Sequence, residues 1–189
     1  MRDEPVYLQV MYSKGGLMRF ISHRDLIQVI KQAVVRTGYR VSYSQGFNPR
    51  PRISFFNPLP VGVESHCERF CVNLEEYADP AEVKHALNRN FPDGLYCMQA
   101  SYINGKKDAE VVSSQYRLDV ENEYVKGIEQ KLRQIEETNL SITKERNNKK
   151  ITVKDKIGIY RFDGSEFCFT LKNTPNGSVS VKEFLKLFF

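Results

Sequence analysis

Two stretches of the chain carry residues whose types and spacing suit contact with a polyanion. In SKGGLMRFISHRDL, residues 13–26, Arg19 and Arg24 flank Ser22, His23 and Asp25. Backbone N–H groups at the start of a helix opening after Ser22, with two guanidiniums nearby, can hold a phosphate. His23 in the first turn could act as base or ligand, and His23 with Asp25 is the pair an RNA-processing or RNA-modifying enzyme would use. The same spacing also reads as plain capping, with Ser22 as N-cap and Asp25 as its partner three residues on. In YSQGFNPRPRISFFNPLP, residues 43–60, four prolines, two arginines and four aromatics stand without a single acid. Arg50 and Arg52 suit phosphates, and Tyr43 or Phe47 can stack on an unpaired base. Gln45 and Asn48 offer the donor and acceptor groups of a base-edge contact. Gly46, Pro49 and Pro51 would preorganise this loop and lower the entropic cost of binding.

Other chemistries find no support. No GK[ST] follows Gly15 and Gly16, so the first stretch is not a nucleotide-hydrolase phosphate loop. The three histidines, His23, His66 and His85, fall in no HxxxH or HExxH spacing, and there is no GxSxG. Four cysteines, Cys67, Cys71, Cys97 and Cys168, are too few and scattered for a disulfide framework. Cys67 and Cys71 make a CxxxC, but Asn73 and Leu74 stand where a cluster loop needs its third cysteine. A spacing of four puts both thiols on one face of a strand, where buried cysteines are expected. No metal site, no cofactor and no catalytic residue is assigned, and a non-catalytic role is favoured over an enzyme using His23 and Asp25.

With 189 residues, 41% hydrophobic and 27% charged, the composition is that of a globular protein of one large or two small domains. The net charge of +5 is modest, but no Asp or Glu occurs from Leu26 through Val63, where Lys31, Arg36, Arg40, Arg50 and Arg52 lie. A second basic cluster spans residues 144–156. Basic segments with interleaved aromatics are the footprint of a nucleic-acid-binding surface, against the plainer reading of a solvated face. No apolar run approaches the ~20 residues of a membrane span. The opening MRDEPVYLQV lacks the apolar core of a secretion signal, so the expected location is cytoplasmic.

The elements that must position these residues follow from periodicity. Residues 6–12 read as a strand, and Ser22 opens a helix over 22–37 with Leu26, Ile27, Ile30, Ala33 and Val34 as its apolar stripe. Gly38 closes it. Short extended pieces at 41–43 and 52–56 and a strand at 68–74 follow, then a helix over 80–90 opened by Pro80 and a strand at 96–103. This β-α-β-β-α-β order is a split βαβ, or ferredoxin-like, arrangement. The second half repeats the theme. It has a strand at 115–121, a helix at 124–138, a hairpin across Asn147-Asn148, strands at 157–162 and 166–171, and a helix at 181–189 capped by Ser180. The expected fold is α+β, two ferredoxin-like halves in tandem. Residues 1–103 form the first domain, 104–113 a linker and 114–189 a second, divergent half that lacks its last strand. The apolar ending LKLFF leaves two readings open, a longer parent chain or a helix docked on the first domain.

In a split βαβ unit strands one and two are parallel, so the loops leaving their C-terminal ends share a sheet edge. If strand two is residues 41–43, SQGFNPRP meets the 15–25 segment there. If it is residues 53–56, that edge receives PLPVGVES and SQGFNPRP must fold back across the helix. The first arrangement is favoured, because Arg19, Arg24, Arg50 and Arg52 would then frame the positive end of the helix.

The blocks YSKGGLMRFISHRDLIQVI, GYRVSYSQGFNPRPRISFFNPLPVGVES and ERFCVNLEE resemble the radical-SAM-linked protein family. This is a small bacterial domain of unknown function, encoded beside or fused to the C-terminus of a B12-type radical SAM protein. The resemblance covers about the first hundred residues and thins beyond Ser113. Where the family usually carries D-I-R-P-Y, KDKIGIYRFDG has Gly158 and Tyr160 at the aspartate and arginine positions. The resemblance implies an accessory role: the radical SAM partner would supply cluster and SAM, and this chain neither. Genes of the family often lie near ribonuclease and ribosomal-protein genes, which points by association toward RNA. The leading expectation is therefore a module that recognises tRNA or rRNA for the radical SAM enzyme. The rivals are a protein dock for that enzyme and an RNA-acting enzyme.

Overall fold

Strand β1, Val6–Lys14, alternates so that Leu8, Val10, Tyr12 and Lys14 form one buried row. The row ends at Gly15, whose N–H donates to the carbonyl of Gly94 at 2.8 Å. A 3-10 turn, Gly16–Phe20, leads into helix α1, His23–Arg36, with Ser22 as N-cap. Its periodicity buries Leu26, Ile30, Ala33 and Val34. Gly38 follows with φ +82°, the left-handed conformation that closes a helix and favours glycine. These elements belong to a computed structural model that describes residues 6–56, 58–104, 111–144, 150–174 and 177–189.

The chain divides into two units, Met1–Glu110 and Val111–Phe189. The first continues with β2, Ile53–Phe55, β3, Ser65–Leu74, helix α2, Pro80–Asn90, and β4, Leu95–Ile103. Its sheet has the order β2-β3-β1-β4, every neighbouring pair antiparallel. Both helices contribute to one core: Leu26 and Ile30 of α1 and Val83 and Leu87 of α2 join Leu8, Val10, Phe70 and Val72. Asp79 caps α2 by accepting the N–H of Ala81 at 3.0 Å.

Strand β2 is shorter than the sequence suggests, and it is interrupted. Val41 bridges Leu74, but the next paired residue is Ile53, opposite Val72. Between them the chain leaves the sheet as a hairpin-like excursion. Ser44 N–H donates to the Arg50 carbonyl at 2.9 Å, Arg50 N–H to Ser44 Oγ at 3.0 Å, and Arg52 N–H to the Ser42 carbonyl at 2.8 Å. Pro49 and Pro51 have no N–H to give to a ladder, so residues 43–51 cannot continue the pairing. Residues 41–43, expected as a strand, contribute only isolated bridges.

The second unit contains β5, Ser113–Asp119, helix α3, Asn122–Glu137, β6, Ser141–Thr143, and β7, Lys150–Thr152. A 3-10 turn, Lys154–Lys156, then precedes β8, Ile157–Asp163, β9, Glu166–Lys172, and helix α4, Val181–Leu185. One antiparallel sheet has the order β5-β9-β8, and β6 and β7 form a separate pair. Ser180 and Glu183 form a reciprocal capping box at the start of α4. The helix ends at Leu185 rather than at residue 189. Aromatic packing takes over there: Phe184 lies 4.8 Å from Phe169, and Phe188 stands edge-on to Phe184 at 5.0 Å. The apolar ending thus packs on β9 of its own unit. The turn at Asn147-Asn148 and most of the expected linker lie outside the described residues.

The architecture is α+β with antiparallel sheets. Of the two cysteines expected to be buried together, Cys71 is buried and Cys67 is exposed. The expected alternation breaks at Cys67, which falls where the β1–β3 register shifts between Ser65 and Glu68, at the solvated end of β3. Among the described residues no group of three or more His, Cys, Asp and Glu could hold a metal ion. None of the described helices is long and apolar enough to cross a membrane.

Candidate functional site

The outward stripe of α1 and the returning arm of the excursion enclose a concave surface of about 680 Å³. Arg24, Ile27, Gln28, Lys31, Gln32, Val35 and Arg36 line it from the helix, and Arg50 and Pro51 from the excursion. The helical residues recur at spacings of three and four, which brings their side chains onto one face. No acid is among the lining residues, so four cations, Arg24, Lys31, Arg36 and Arg50, concentrate positive potential in a shared hollow. Gln28 and Gln32 add amides beside them.

Arg24 and Arg50 are thus brought together, one from each sequence stretch. Arg52 is exposed and is not among the lining residues. Arg19 is engaged elsewhere: its Nη1 lies 2.9 Å from Glu64 Oε1, which also accepts the Gly16 N–H at 3.0 Å. Gly62 N–H donates to the Arg19 carbonyl at 2.8 Å. Because strand two is Ile53–Phe55, residues 58–64 follow it, and these, not SQGFNPRP, meet the Gly16–Phe20 turn. The excursion instead folds back along α1.

At the tip of the excursion Gln45, Gly46, Phe47 and Asn48 are exposed, and the Phe47 ring is fully so. Gly46 has φ +142°, a conformation that side-chain-bearing residues rarely adopt. Tyr43, at the base, is 43% exposed. Ser22 and Asp25 cap the helix: Ser22 Oγ accepts the Asp25 N–H at 3.2 Å, and its hydroxyl donates to Asp25 Oδ2 at 2.7 Å. The Asp25 carboxylate is therefore already occupied by the cap. His23 is half-buried, edge-on to Phe55 with ring centroids 6.2 Å apart. Burial, and then the charge of Lys14, push its pKa down, so the imidazole is neutral at pH 7.

Sequence reasoning passed over the residues beside His23. Tyr12 pairs with Glu68 across β1 and β3, and Lys14 pairs with Ser65. Lys14 is 1% exposed, the last member of the core-facing row. Burial pushes its ammonium pKa down against a smaller upward pull from Glu68. Burial raises the Glu68 carboxyl pKa, opposed by a hydrogen bond from Ser65 and by Lys14. Burial, with a further contribution from Glu68, raises that of the Tyr12 phenol. The available signal was phase: Lys14 keeps step with Leu8 and Val10, and Glu68 with Phe70 and Val72.

A model of the family described as "Uncharacterized protein conserved in bacteria (DUF2344)" matches residues 7–182. No curated protein matches the chain.

Proposed function

The chain belongs to this conserved bacterial family, and we propose that it is a non-catalytic accessory module that recognises RNA, tRNA or rRNA, for a radical SAM modification enzyme. The observation that carries the RNA part is the acid-free groove, in which Arg50 stands across from Arg24, Lys31 and Arg36. Spaced guanidiniums and ammonium groups along one helix match the repeating charge of a phosphate backbone, and each contact releases counterions. The exposed Phe47 ring at the tip of the excursion suits stacking on an unpaired base. The link to a radical SAM partner rests on the sequence blocks of the first hundred or so residues. That partner would hold the iron–sulfur cluster and SAM.

We read each unit as a ferredoxin-like half. In the first, the element order β-α-β-β-α-β and the strand order β2-β3-β1-β4 support this. In the second, β5-β9-β8 repeats the order β1-β3-β2 among the described residues, with β6 and β7 inserted.

The test is RNA binding by an Arg24→Ala, Arg50→Ala double variant across a salt series. Affinity is expected to fall and the slope of log K against log salt to shrink by about 0.7–0.9 per lost contact. Unchanged affinity and slope would remove the groove from RNA recognition.

A second reading, docking on the radical SAM partner, is favoured by one feature. Leu17, Phe20 and Val61 are 84%, 56% and 57% exposed, and they flank the contact between Gly62 and Arg19. Apolar side chains on a loop pinned this way suit a protein surface better than a phosphate backbone.

A further inference from the structure

Titratable groups converge where the ends of β1 and β3 meet the first turn of α1. Tyr12 and Lys14 are 2% and 1% exposed. Neither the phenol nor the ammonium has a hydrogen-bond or ion-pair partner among the described residues. Both point inward from β1, opposite Glu68 and Ser65 of β3. His23, the first residue of α1, stands against Phe55 close enough for the Lys14 charge to act on its ring. Ser22 caps the Asp25 N–H, so the N–H groups of His23 and Arg24 lie outside that cap at the positive end of a 14-residue helix.

Neither polar atom is among the fully buried ones without a partner, so the nearly enclosed Lys14 ammonium and Tyr12 hydroxyl each keep a narrow contact with solvent beside the helix start, where one anion can reach both. Glu68 is the carboxylate at hand; burial disfavours its charged form as it does the Lys14 ammonium, and each charge favours the other, so an anion here competes with Glu68 for Lys14. An ammonium with a neighbouring phenol and helix N–H groups matches the charge-assisted hydrogen bonds that oxyanions accept.

We propose that this mouth is a subsite for one phosphoryl group, with Lys14 and Tyr12 donating to its oxygens and the start of α1 facing its charge. The phosphate is one of the RNA strand held in the neighbouring groove, whose lining residue Arg24 directly follows His23. Only this assignment of the source rests on the RNA reading.

The probe is inorganic phosphate, titrated into the full chain at pH 7 and followed by phosphorus NMR and calorimetry. Saturable binding is expected. It should weaken at least tenfold in Lys14→Met and about threefold in Tyr12→Phe. Melting curves of both subsite variants establish that they fold. No saturable binding, or binding equal in the folded Lys14→Met variant, overturns the subsite. RNA affinity untouched by Lys14→Met, with phosphate binding lost, overturns the assignment of the source. Phosphate binding retained while RNA fails to bind upholds the subsite and removes the RNA reading.

Discussion

Arg24 on α1 and Arg50 on the excursion from β2 line one hollow, although the chain between them completes a helix and leaves the sheet edge before Arg50 is reached. Each guanidinium adds to the field of the other toward an anion, and no carboxylate among the lining residues offsets them. The pairing exists because the excursion's prolines turn it off the sheet and back along the helix.

Arg19 provides the contrast. Its guanidinium is tied to Glu64 at 2.9 Å, with both side chains about two-fifths exposed. Arg19→Ala is expected to leave RNA affinity and its salt slope unchanged and to cost under about 1 kcal/mol of stability, as exposed pairs do. Filter binding and urea unfolding on the same protein check both.

Phe47→Ala should leave stability within about 0.5 kcal/mol, because the fully exposed ring packs on nothing. Affinity for a single-stranded oligoribonucleotide should drop by about 1–3 kcal/mol if the ring stacks on a base. The chain has no tryptophan, so Phe47→Trp gives a single fluorescent reporter whose quenching by RNA reads the stack directly. Unchanged emission on adding RNA would count against stacking.

Gly94→Ala tests what positions the Gly15 turn. A Cβ there would sit 2.6 Å from the Gly15 carbonyl oxygen and 2.9 Å from Met18 Cγ, at φ +91°. With backbone on one side and an unfavourable φ, relief requires moving the turn, so a loss of about 2 kcal/mol or more is expected in chemical unfolding.

Glu68→Gln tests the electrostatics of the buried cluster. The folded pKa of Glu68 is raised above its ordinary 4.5 by burial. Its contribution to stability is therefore fully present below pH 4.5 and is lost as pH rises through the folded value. The variant should be more stable than the wild type at pH 7, by on the order of 1 kcal/mol, and the advantage should shrink as pH approaches 4. His23 acts in the opposite sense. Its pKa is lowered from 6.5, so protonating it costs stability as pH falls below that value. Comparing the two proteins at each pH cancels the His23 contribution, provided its pKa is similar in both. A difference that does not vary with pH would contradict the assignment.

What the sequence determined by itself is what local physics specifies. Ser22 starts α1 because an N-cap hydroxyl and an acid three residues on satisfy N–H groups within the same turn, and Gly38 ends it by its own φ. The apolar period selected Leu26, Ile30 and Val34, and Asp79 with Pro80 marked the start of α2. The prolines of residues 43–60 announced an ordered loop, because they remove donors wherever the chain goes. Only the tertiary structure decided which way that loop turns. Both 41–43 and 53–55 can pair with β3, and the choice lies in the register of Val41 with Leu74 and Ile53 with Val72, partners distant in sequence. The same holds for Arg19, whose Glu64 arrives on another loop, and for Lys14. A lysine at the end of an alternating strand reads as solvated until the fold buries it, and burial then gives that amine a chemistry its local sequence does not display.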